Sequence, residues 1–270
     1  KGYFIDIRKA DSPTRILMLV DKLSAYKLAI HQGLTESLSR PADITMNFHN
    51  QDISVFAEIV AKSVDEYEYY VIAAHFPPEV KPSQVTRILR SIPNDKLILI
   101  DNELPEAKGH IGRVFQDFRT DAARALQENL DAIRKYRRVI IVCSERSLYG
   151  KSIYPGIRKM LNENGIRCKV VFRFDPDLMT PGTLFIVISG QLDKDHFTLL
   201  REAAGKGYSL GNDIGLISHN DEPVNEFICG GLTCISTDFV QMGRSAAEMI
   251  NRKEMCSVHN PFRLVRRATL

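Results

Sequence analysis

Acidic and amide side chains follow several apolar runs of this sequence, at the positions where strands are predicted to end. Asp21, Asp101 and Asp117 each follow such a run, and Asn220 and Asp221 follow another. Because open parallel sheets bind ligands at the carboxyl ends of their strands, these side chains are expected at a binding edge. Carboxylate and amide groups form hydrogen bonds with hydroxyl groups. The pattern predicts a site for a polyhydroxylated ligand, although Asp and Asn are also common in turns that follow strands.

Motifs that would indicate catalysis are scarce. The sequence has no Gly-x-x-x-x-Gly-Lys-Ser/Thr phosphate loop and no His-Glu-x-x-His zinc motif. The segment Gly205–Gly211 is one residue too long for a dinucleotide fingerprint and follows a predicted helix, so it indicates a helix stop and a turn. His75 and His219 follow predicted strands, where a histidine is more often a wall residue than a proton donor. We therefore expect no catalytic residue.

The composition indicates a globular protein with one large core or two moderate ones. Of its 270 residues 44% are hydrophobic, and no apolar run approaches the ~20 residues that cross a bilayer. A net charge of +3, with acidic and basic residues interspersed, is too small to indicate nucleic-acid binding by this chain. The five cysteines form no Cys-x-x-Cys pair, which is typical of reduced thiols. We expect a cytoplasmic protein without membrane contact, metal or cofactor.

Short apolar runs alternate with amphipathic helical segments, which predicts crossover units and parallel sheets. The predicted strands are Arg15–Val20, Asp43–Phe48, Tyr69–Ala74, Lys96–Ile100, Val139–Cys143, Cys168–Phe172, Leu184–Ile188, Ile214–Ile217 and a last one at Arg263–Arg267. The predicted helices are Tyr26–Leu38, with Leu28, Leu34 and Leu38 on one side, Ile53–Val64, Arg119–Arg134 and Ile153–Asn162. A break at the charged stretch Arg134–Arg138 divides the strands into two groups. The fold class is therefore α/β, with two doubly wound parallel-sheet lobes and a cleft between them.

The order of several segments resembles the effector-binding core of the lactose-repressor (LacI) family. The segments are Leu97-Ile98-Leu99-Ile100-Asp101, Val114-Phe115-Gln116-Asp117, Arg137-Arg138-Val139-Ile140-Ile141, Gly156 with Leu161, Asn212-Asp213-Ile214, Leu216–Asp221, Leu232-Thr233 and Thr237-Asp238-Phe239. The resemblance implies the type I periplasmic-binding-protein fold, in which two lobes are joined by a hinge of three crossovers. It places lobe 1 at residues 15–134 plus 239–257, and lobe 2 at residues 135–238 plus 258–270.

The start of the chain resembles a different family. Lys1-Gly2-Tyr3-Phe4-Ile5 is similar to the last strand of the winged-helix DNA-binding domain of the gluconate-repressor (GntR) family. Because the chain does not begin with Met, we interpret it as a fragment. Residues 1–14 are then a linker from a missing N-terminal domain that binds operator DNA.

The LacI resemblance also implies residues that contact a sugar. Asp117 matches the first-lobe carboxylate that accepts sugar hydroxyls, and Asn220 matches the second-lobe acidic position. Phe239 matches the aromatic residue that packs against the sugar ring. Tyr26 and His75 lie where the family lines its cleft.

Three departures from the family pattern add further candidates. Ile153 stands where the family has Arg, so Tyr149 or Lys151 would supply any donor that is needed there. Ser189-Gly190 replaces an Asn-Asp pair, which leaves Gln191 as the nearest amide. The usual acid at Asn220 is an amide, and Asp221 is adjacent to it.

The implied function is that of a ligand-sensing domain of a bacterial transcription regulator, without catalysis. A monosaccharide or a derivative would bridge both lobes, favour a closed cleft and so alter DNA binding. A homodimer is expected, with helices Ile53–Val64 and Val85–Ile92 as interface candidates. A periplasmic sugar-binding protein of a transporter is the main alternative, and an upstream signal peptide would favour it. An enzyme is a third alternative, which turnover of a bound sugar would favour.

Overall fold

The computed structural model describes residues 12–144, 147–190 and 192–270, which form two compact units. Unit 1 comprises the described residues up to Phe115 together with 239–260, and unit 2 comprises those of 116–238 together with 261–270. The chain therefore passes three times between the units. Residues 116–134 belong to unit 2 and not to the first lobe, because the last unit 1 strand before them ends at Phe115. Residues 258–260 belong to unit 1.

Unit 1 contains a parallel six-stranded sheet. Its strands are β1 (Thr14–Val20), β2 (Ala42–Phe48), β3 (Tyr69–Ile72), β4 (Leu97–Asp101), β5 (Gly112–Phe115) and β11 (Ser257–His259), in the order β11-β5-β4-β3-β1-β2. Its helices are α1 (Ala25–Ser37), α2 (Ile53–Ser63), α3 (Pro82–Leu89) and α8 (Phe239–Arg252). Side chains of β1 alternate between two apolar clusters, so the sheet is buried on both faces.

Unit 2 contains a mostly parallel sheet of the same size. Its strands are β6 (Arg138–Cys143), β7 (Cys168–Val171), β8 (Thr183–Ile188), β9 (Ile214–His219), β10 (Thr233–Thr237) and β12 (Phe262–Val265), in the order β12-β10-β9-β8-β6-β7, with β12 antiparallel to β10. Its helices are α4 (Asp121–Gln127), α5 (Leu130–Ile133), α6 (Gly150–Glu163) and α7 (Lys194–Gly205). Two α/β units with doubly wound parallel sheets confirm the predicted fold class.

The predicted helix Arg119–Arg134 is wrong, because the structure has two short helices there. Helix α4 ends at Gln127, and α5 begins at Leu130. Between them the side-chain amide of Asn129 donates to the carbonyl oxygen of Ala125 at 2.8 Å, and such side-chain hydrogen bonds compete with the helix backbone. The Gly205–Gly211 segment does follow a helix and ends it, as predicted.

Helices α1 and α8 pack closely through two glycines. A Cβ atom on Gly33 would lie 2.0 Å from the carbonyl oxygen of Val240, and one on Gly243 would lie 2.0 Å from that of Ile30. The face that α1 buries carries Lys27, Ile30, Gly33 and Leu34. Leu28 is instead 50% exposed, so the predicted apolar face through Leu28 is wrong.

Candidate functional site

Four polar side chains of unit 1 form a cluster, called here the buried tetrad: Asp21, Lys27, His75 and Asp101. The ammonium of Lys27 lies 2.9 Å from Oδ2 of Asp101 and 3.7 Å from Oδ1 of Asp21. The ring of His75 reaches the same carboxylates, with Nε2 at 3.2 Å from Asp101 Oδ2 and Nδ1 at 3.9 Å from Asp21 Oδ1. All four side chains are at most 5% exposed.

The sheet order explains why these residues meet. Asp21 follows β1, His75 follows β3 and Asp101 ends β4, and these three strands are neighbours in the unit 1 sheet. Lys27 comes from the first turn of α1, whose backbone is capped by the side chain of Ser24. The tetrad therefore lies at the carboxyl edge of the sheet, where open α/β sheets bind ligands.

Burial and nearby charges set the protonation states within the tetrad. Burial disfavours the charged form of Lys27, but the carboxylates of Asp101 and Asp21 outweigh it, so the pKa of Lys27 is raised. Burial and the neighbouring Lys27 charge lower the pKa of His75 to about 4. At neutral pH the tetrad thus holds a charged lysine and a neutral histidine.

Acidification from pH 6.5 to 4 is expected to lower the free energy of unfolding. His75 binds a proton more readily in the unfolded chain than in the fold, so its contribution is complete above pH 6.5 and is lost as the pH falls toward 4. The shift corresponds to about 3 kcal/mol, at about 1.4 kcal/mol per pKa unit. Denaturant unfolding across this range would measure the loss. His75→Gln should flatten the pH dependence, and an unchanged slope in that variant would contradict the assignment.

Two aromatic residues lie beside the tetrad. The rings of Tyr26 and Phe239 have centroids 4.9 Å apart, and the Lys27 ammonium lies 5.0 Å from the Tyr26 ring centroid. Burial raises the pKa of the Tyr26 hydroxyl. Phe239 is 5% exposed at the start of α8, whereas Tyr26 is half-buried. The structure thus brings Tyr26, His75 and Phe239 to one edge of unit 1.

In unit 2, Asn220 occupies a constrained position directly after β9. Its backbone has a φ of +67°, a left-handed conformation that Asn tolerates better than most residues. Its side-chain amide donates to the carbonyl of Gly190 at 2.9 Å. Its Oδ1 atom is buried and accepts no hydrogen bond from the residues that the structure describes. An acceptor of this kind is costly unless a ligand or a water molecule satisfies it.

Asp221 does not provide a second open acceptor. Its carboxylate forms a bidentate ion pair with Arg267, with N–O distances of 2.9 and 2.8 Å, and accepts from the Asn225 amide at 3.3 Å. Arg267 lies 46 positions from Asp221, so the sequence alone does not indicate that the two side chains form an ion pair. Asp221 therefore anchors the chain after β12, and its contact with a ligand stays a prediction.

The Asp117 carboxylate is also used locally. It accepts from the backbone N–H of Arg119 at 2.9 Å and from the Thr120 hydroxyl at 2.5 Å. Asp117 belongs to unit 2 and comes two residues after the end of β5. Asp21 and Asp101 share one edge of the unit 1 sheet, and the position of Asp117 at that edge stays a prediction.

Two of the remaining candidates, Tyr149 and Lys151, lie at the start of α6. Tyr149 precedes α6, and its ring stacks on Phe118 with centroids 4.1 Å apart and an angle of 3°. It therefore lies next to the turn that contains Asp117. Lys151 is exposed in the first turn of α6. Gln191 lies outside the described residues, as does the segment Lys1–Ile5.

Two arrangements in unit 2 have the residue types of a hydrolase without its geometry. His196 lies 3.0 Å from Asp193 and 2.9 Å from the Ser218 hydroxyl, but Ser218 is 1% exposed within β9. These contacts of His196 link the start of α7 to the unit 2 sheet. The Ser218 hydroxyl is not accessible to a substrate. Gly207–Gly211 has Gly-x-Ser-x-Gly spacing but follows a helix, whereas a nucleophile elbow follows a strand.

Neither a metal centre nor a membrane span emerges from the described part of the chain. Its His, Cys, Asp and Glu side chains include no group of three or more that could hold a metal ion. Across the same residues, no helix has both the length and the apolar character needed to cross a membrane.

The fold and its two carboxyl edges are those of a type I periplasmic-binding-protein-like domain. No protein-family model and no curated protein matches the sequence. Solved structures do match, and they include LacI-type transcription regulators, so the predicted resemblance is confirmed at the level of the fold.

Three of these structures are similar to nearly the whole chain. The trehalose repressor from Escherichia coli has a TM-score of 0.74 and 14% identity, covering 94% of this chain and 100% of that one. A dimeric Lac repressor with an 11-residue C-terminal deletion has a TM-score of 0.71 and 15% identity, with 94% and 98% covered. A complex of the transcriptional regulator CelR with cellobiose has a TM-score of 0.67 and 14% identity, with 98% and 88% covered.

Proposed function

We propose that this chain is the ligand-sensing domain of a cytoplasmic transcription regulator, and that it binds a monosaccharide or a derivative without catalysis. The observation that carries the proposal is the buried Oδ1 atom of Asn220, an acceptor without a hydrogen bond from the described residues. It lies at the carboxyl end of β9, the kind of edge at which this fold class binds its ligands. A ligand hydroxyl is a suitable donor for it.

The unit 1 edge supports a carbohydrate as the ligand class. Tyr26 is half-buried and presents an aromatic ring beside the tetrad, and an aromatic surface suits the apolar C–H face of a sugar ring. Asp101 has a φ of +77° and Asn220 one of +67°. Non-glycine residues in this region concentrate at functional sites. CelR, which has the same fold, was solved with cellobiose.

Regulation would follow from a shift between two states of the domain. A ligand changes DNA affinity only through its different affinities for those states. The DNA-binding domain would lie upstream of this chain, and a GntR-type winged helix remains our prediction for it. A homodimer would present two such domains to operator half-sites, with α2 and α3 as candidate interface helices.

A thermal-unfolding screen tests this proposal. The chain would be heated with a panel of neutral pentoses, hexoses and disaccharides, and one of them is expected to raise the unfolding temperature. At a hundred times its dissociation constant, that ligand should add about 2.7 kcal/mol to the free energy of unfolding.

Asn220→Ala is expected to weaken the response to that ligand by about tenfold in affinity, which corresponds to ~1.4 kcal/mol for a lost hydrogen bond. Asn212→Ala is the matched control, since Asn212 is an exposed amide of the same unit. An unchanged affinity in Asn220→Ala would remove Asn220 from the site, and no response to any sugar would contradict the proposed function.

A further inference from the structure

A small cavity lies at the edge of the unit 1 sheet that is opposite the buried tetrad. It adjoins the first residues of β1 and β3, Thr14 and Tyr69, and the carboxyl-terminal ends of α1 and α8. Because β1 and β3 are parallel, their first residues lie at the amino edge of the sheet. The cavity, called here the amino-edge pocket, has a volume of about 230 Å³. A single water molecule needs only ~10–15 Å³ of such space, so the pocket has room for a small organic molecule.

The walls of the amino-edge pocket are held together by Asn251, near the end of α8. Its side-chain amide donates to the carbonyl oxygen of Ser37 at 2.8 Å. Its Oδ1 atom accepts from the backbone N–H and from the hydroxyl of Ser39, both at 2.9 Å. These hydrogen bonds join α8 to the end of α1 and the turn that follows it. The pocket is therefore formed without a ligand, as small-molecule sites usually are.

The amino-edge pocket presents charges of both signs. Its charged side chains, which are all exposed, are Arg40, Glu68 and Lys253. Neither cation has a carboxylate partner among the residues that the structure describes. The Glu68 carboxylate accepts one long hydrogen bond, at 3.3 Å, from the backbone N–H of Arg15. The carboxyl-terminal ends of α1 and α8 add partial negative charge. A ligand with one anionic and one cationic group would complement this lining.

Lys253 occupies a backbone position that glycine or asparagine usually takes. It follows the last residue of α8 and has a φ of +55°. The backbone N–H of Lys253 donates to the Ile250 carbonyl at 3.2 Å, and that of Glu254 donates to the Met249 carbonyl at 3.1 Å. This is a helix stop of the kind in which a side chain is strained. Strained residues concentrate at functional sites, and here the strain places an ammonium group in the pocket lining.

We propose that the amino-edge pocket binds a small zwitterion, namely a free α-amino acid with a polar side chain. Its carboxylate would pair with Arg40 and Lys253, and its ammonium group would donate to Glu68 and to helix carbonyls. A polar side chain suits a lining in which Leu38 and Ile250 are the aliphatic members. The inference goes beyond the proposed function and does not depend on it, since the amino-edge pocket contains none of the residues assigned to the sugar.

Calorimetric titration of the chain with each common amino acid provides the first test. One polar amino acid is expected to bind saturably at one molecule per chain. The matched amine, which lacks the carboxylate, and the matched acid, which lacks the amino group, should each bind about tenfold more weakly or less, because each loses a charge-assisted hydrogen bond. Saturable binding by no amino acid, or equal binding by the amine or the acid, would overturn the inference. The sugar screen is unaffected by either result.

Variants of the pocket lining provide the second test. Lys253→Asn removes the cation and suits the left-handed backbone, and Glu68→Gln removes the acid. Each should weaken binding of the amino acid by about tenfold. Both side chains are exposed, so the fold should be retained, which circular dichroism would check.

The matched controls are Lys108→Gln and Glu106→Gln. Lys108 and Glu106 are exposed residues of the same unit that do not line the amino-edge pocket, so their variants should bind like the parent chain. If Lys253→Asn does not fold, Arg40→Gln tests the carboxylate contact in its place. An unchanged affinity in a folded variant of either the cation or the acid would show that the amino acid binds elsewhere, and the inference would be wrong.

Discussion

Replacement of Lys27 by methionine is expected to lower the free energy of unfolding by about 3–5 kcal/mol. Methionine fills a similar volume but leaves Asp21 and Asp101 buried without their cation. Lys27 is 0% exposed, so water cannot replace the lost charge. Denaturant unfolding monitored by circular dichroism would give the difference from the parent chain.

Lys62→Met is the matched control for this prediction. Lys62 forms an ion pair with Glu58, but these side chains are 73% and 64% exposed. Exposed pairs of this spacing contribute little to stability, so the control should remain close to the parent. Equal losses in Lys27→Met and Lys62→Met would show that the tetrad does not stabilise the fold.

Gly33→Ala is expected to be strongly destabilising. The added Cβ would lie 2.0 Å from a carbonyl oxygen of the Val240 backbone, which cannot rotate away. Helices α1 and α8 would have to separate, and overpacking of this kind costs about 3 kcal/mol or more. The same unfolding experiment would measure the loss.

Gly205→Ala tests whether the loss at Gly33 comes from the helix contact. A Cβ atom on Gly205, the last residue of α7, would have no atom within 4 Å. Alanine there should be neutral or stabilising by up to about 1 kcal/mol. A Gly33→Ala variant as stable as Gly205→Ala would contradict the close packing of α1 on α8.

The sequence predicts the fold class well because long apolar strands alternate with helices. The predicted strands of the two sheet centres match the structure, since runs such as Val139–Cys143 are apolar throughout and buried on both faces. The strands that were missed are short or polar. Thr233–Thr237 contains three hydroxyl residues, and Ser257–His259 has three residues in all, so neither has an apolar pattern that periodicity detects.

The site is less predictable because its residues are distant in sequence. Lys27 was missed, although it shares the i, i+3, i+7 face of α1 with Ile30 and Leu34, which are both buried. A lysine on the apolar face of a helix is the signal that could have identified it. Asp117 and Asp221 are candidates because of their positions after predicted strands. Their partners, a local hydroxyl and Arg267, become apparent only in three dimensions.

The proposed function requires that the chain binds a carbohydrate and leaves it unchanged. Calorimetric titration of the chain with each neutral sugar of the panel, followed by chromatography of the sugar, tests both requirements. We expect one sugar to bind saturably at one molecule per chain and to be recovered intact. Conversion of that sugar into a product, or no saturable binding by any sugar, would contradict it.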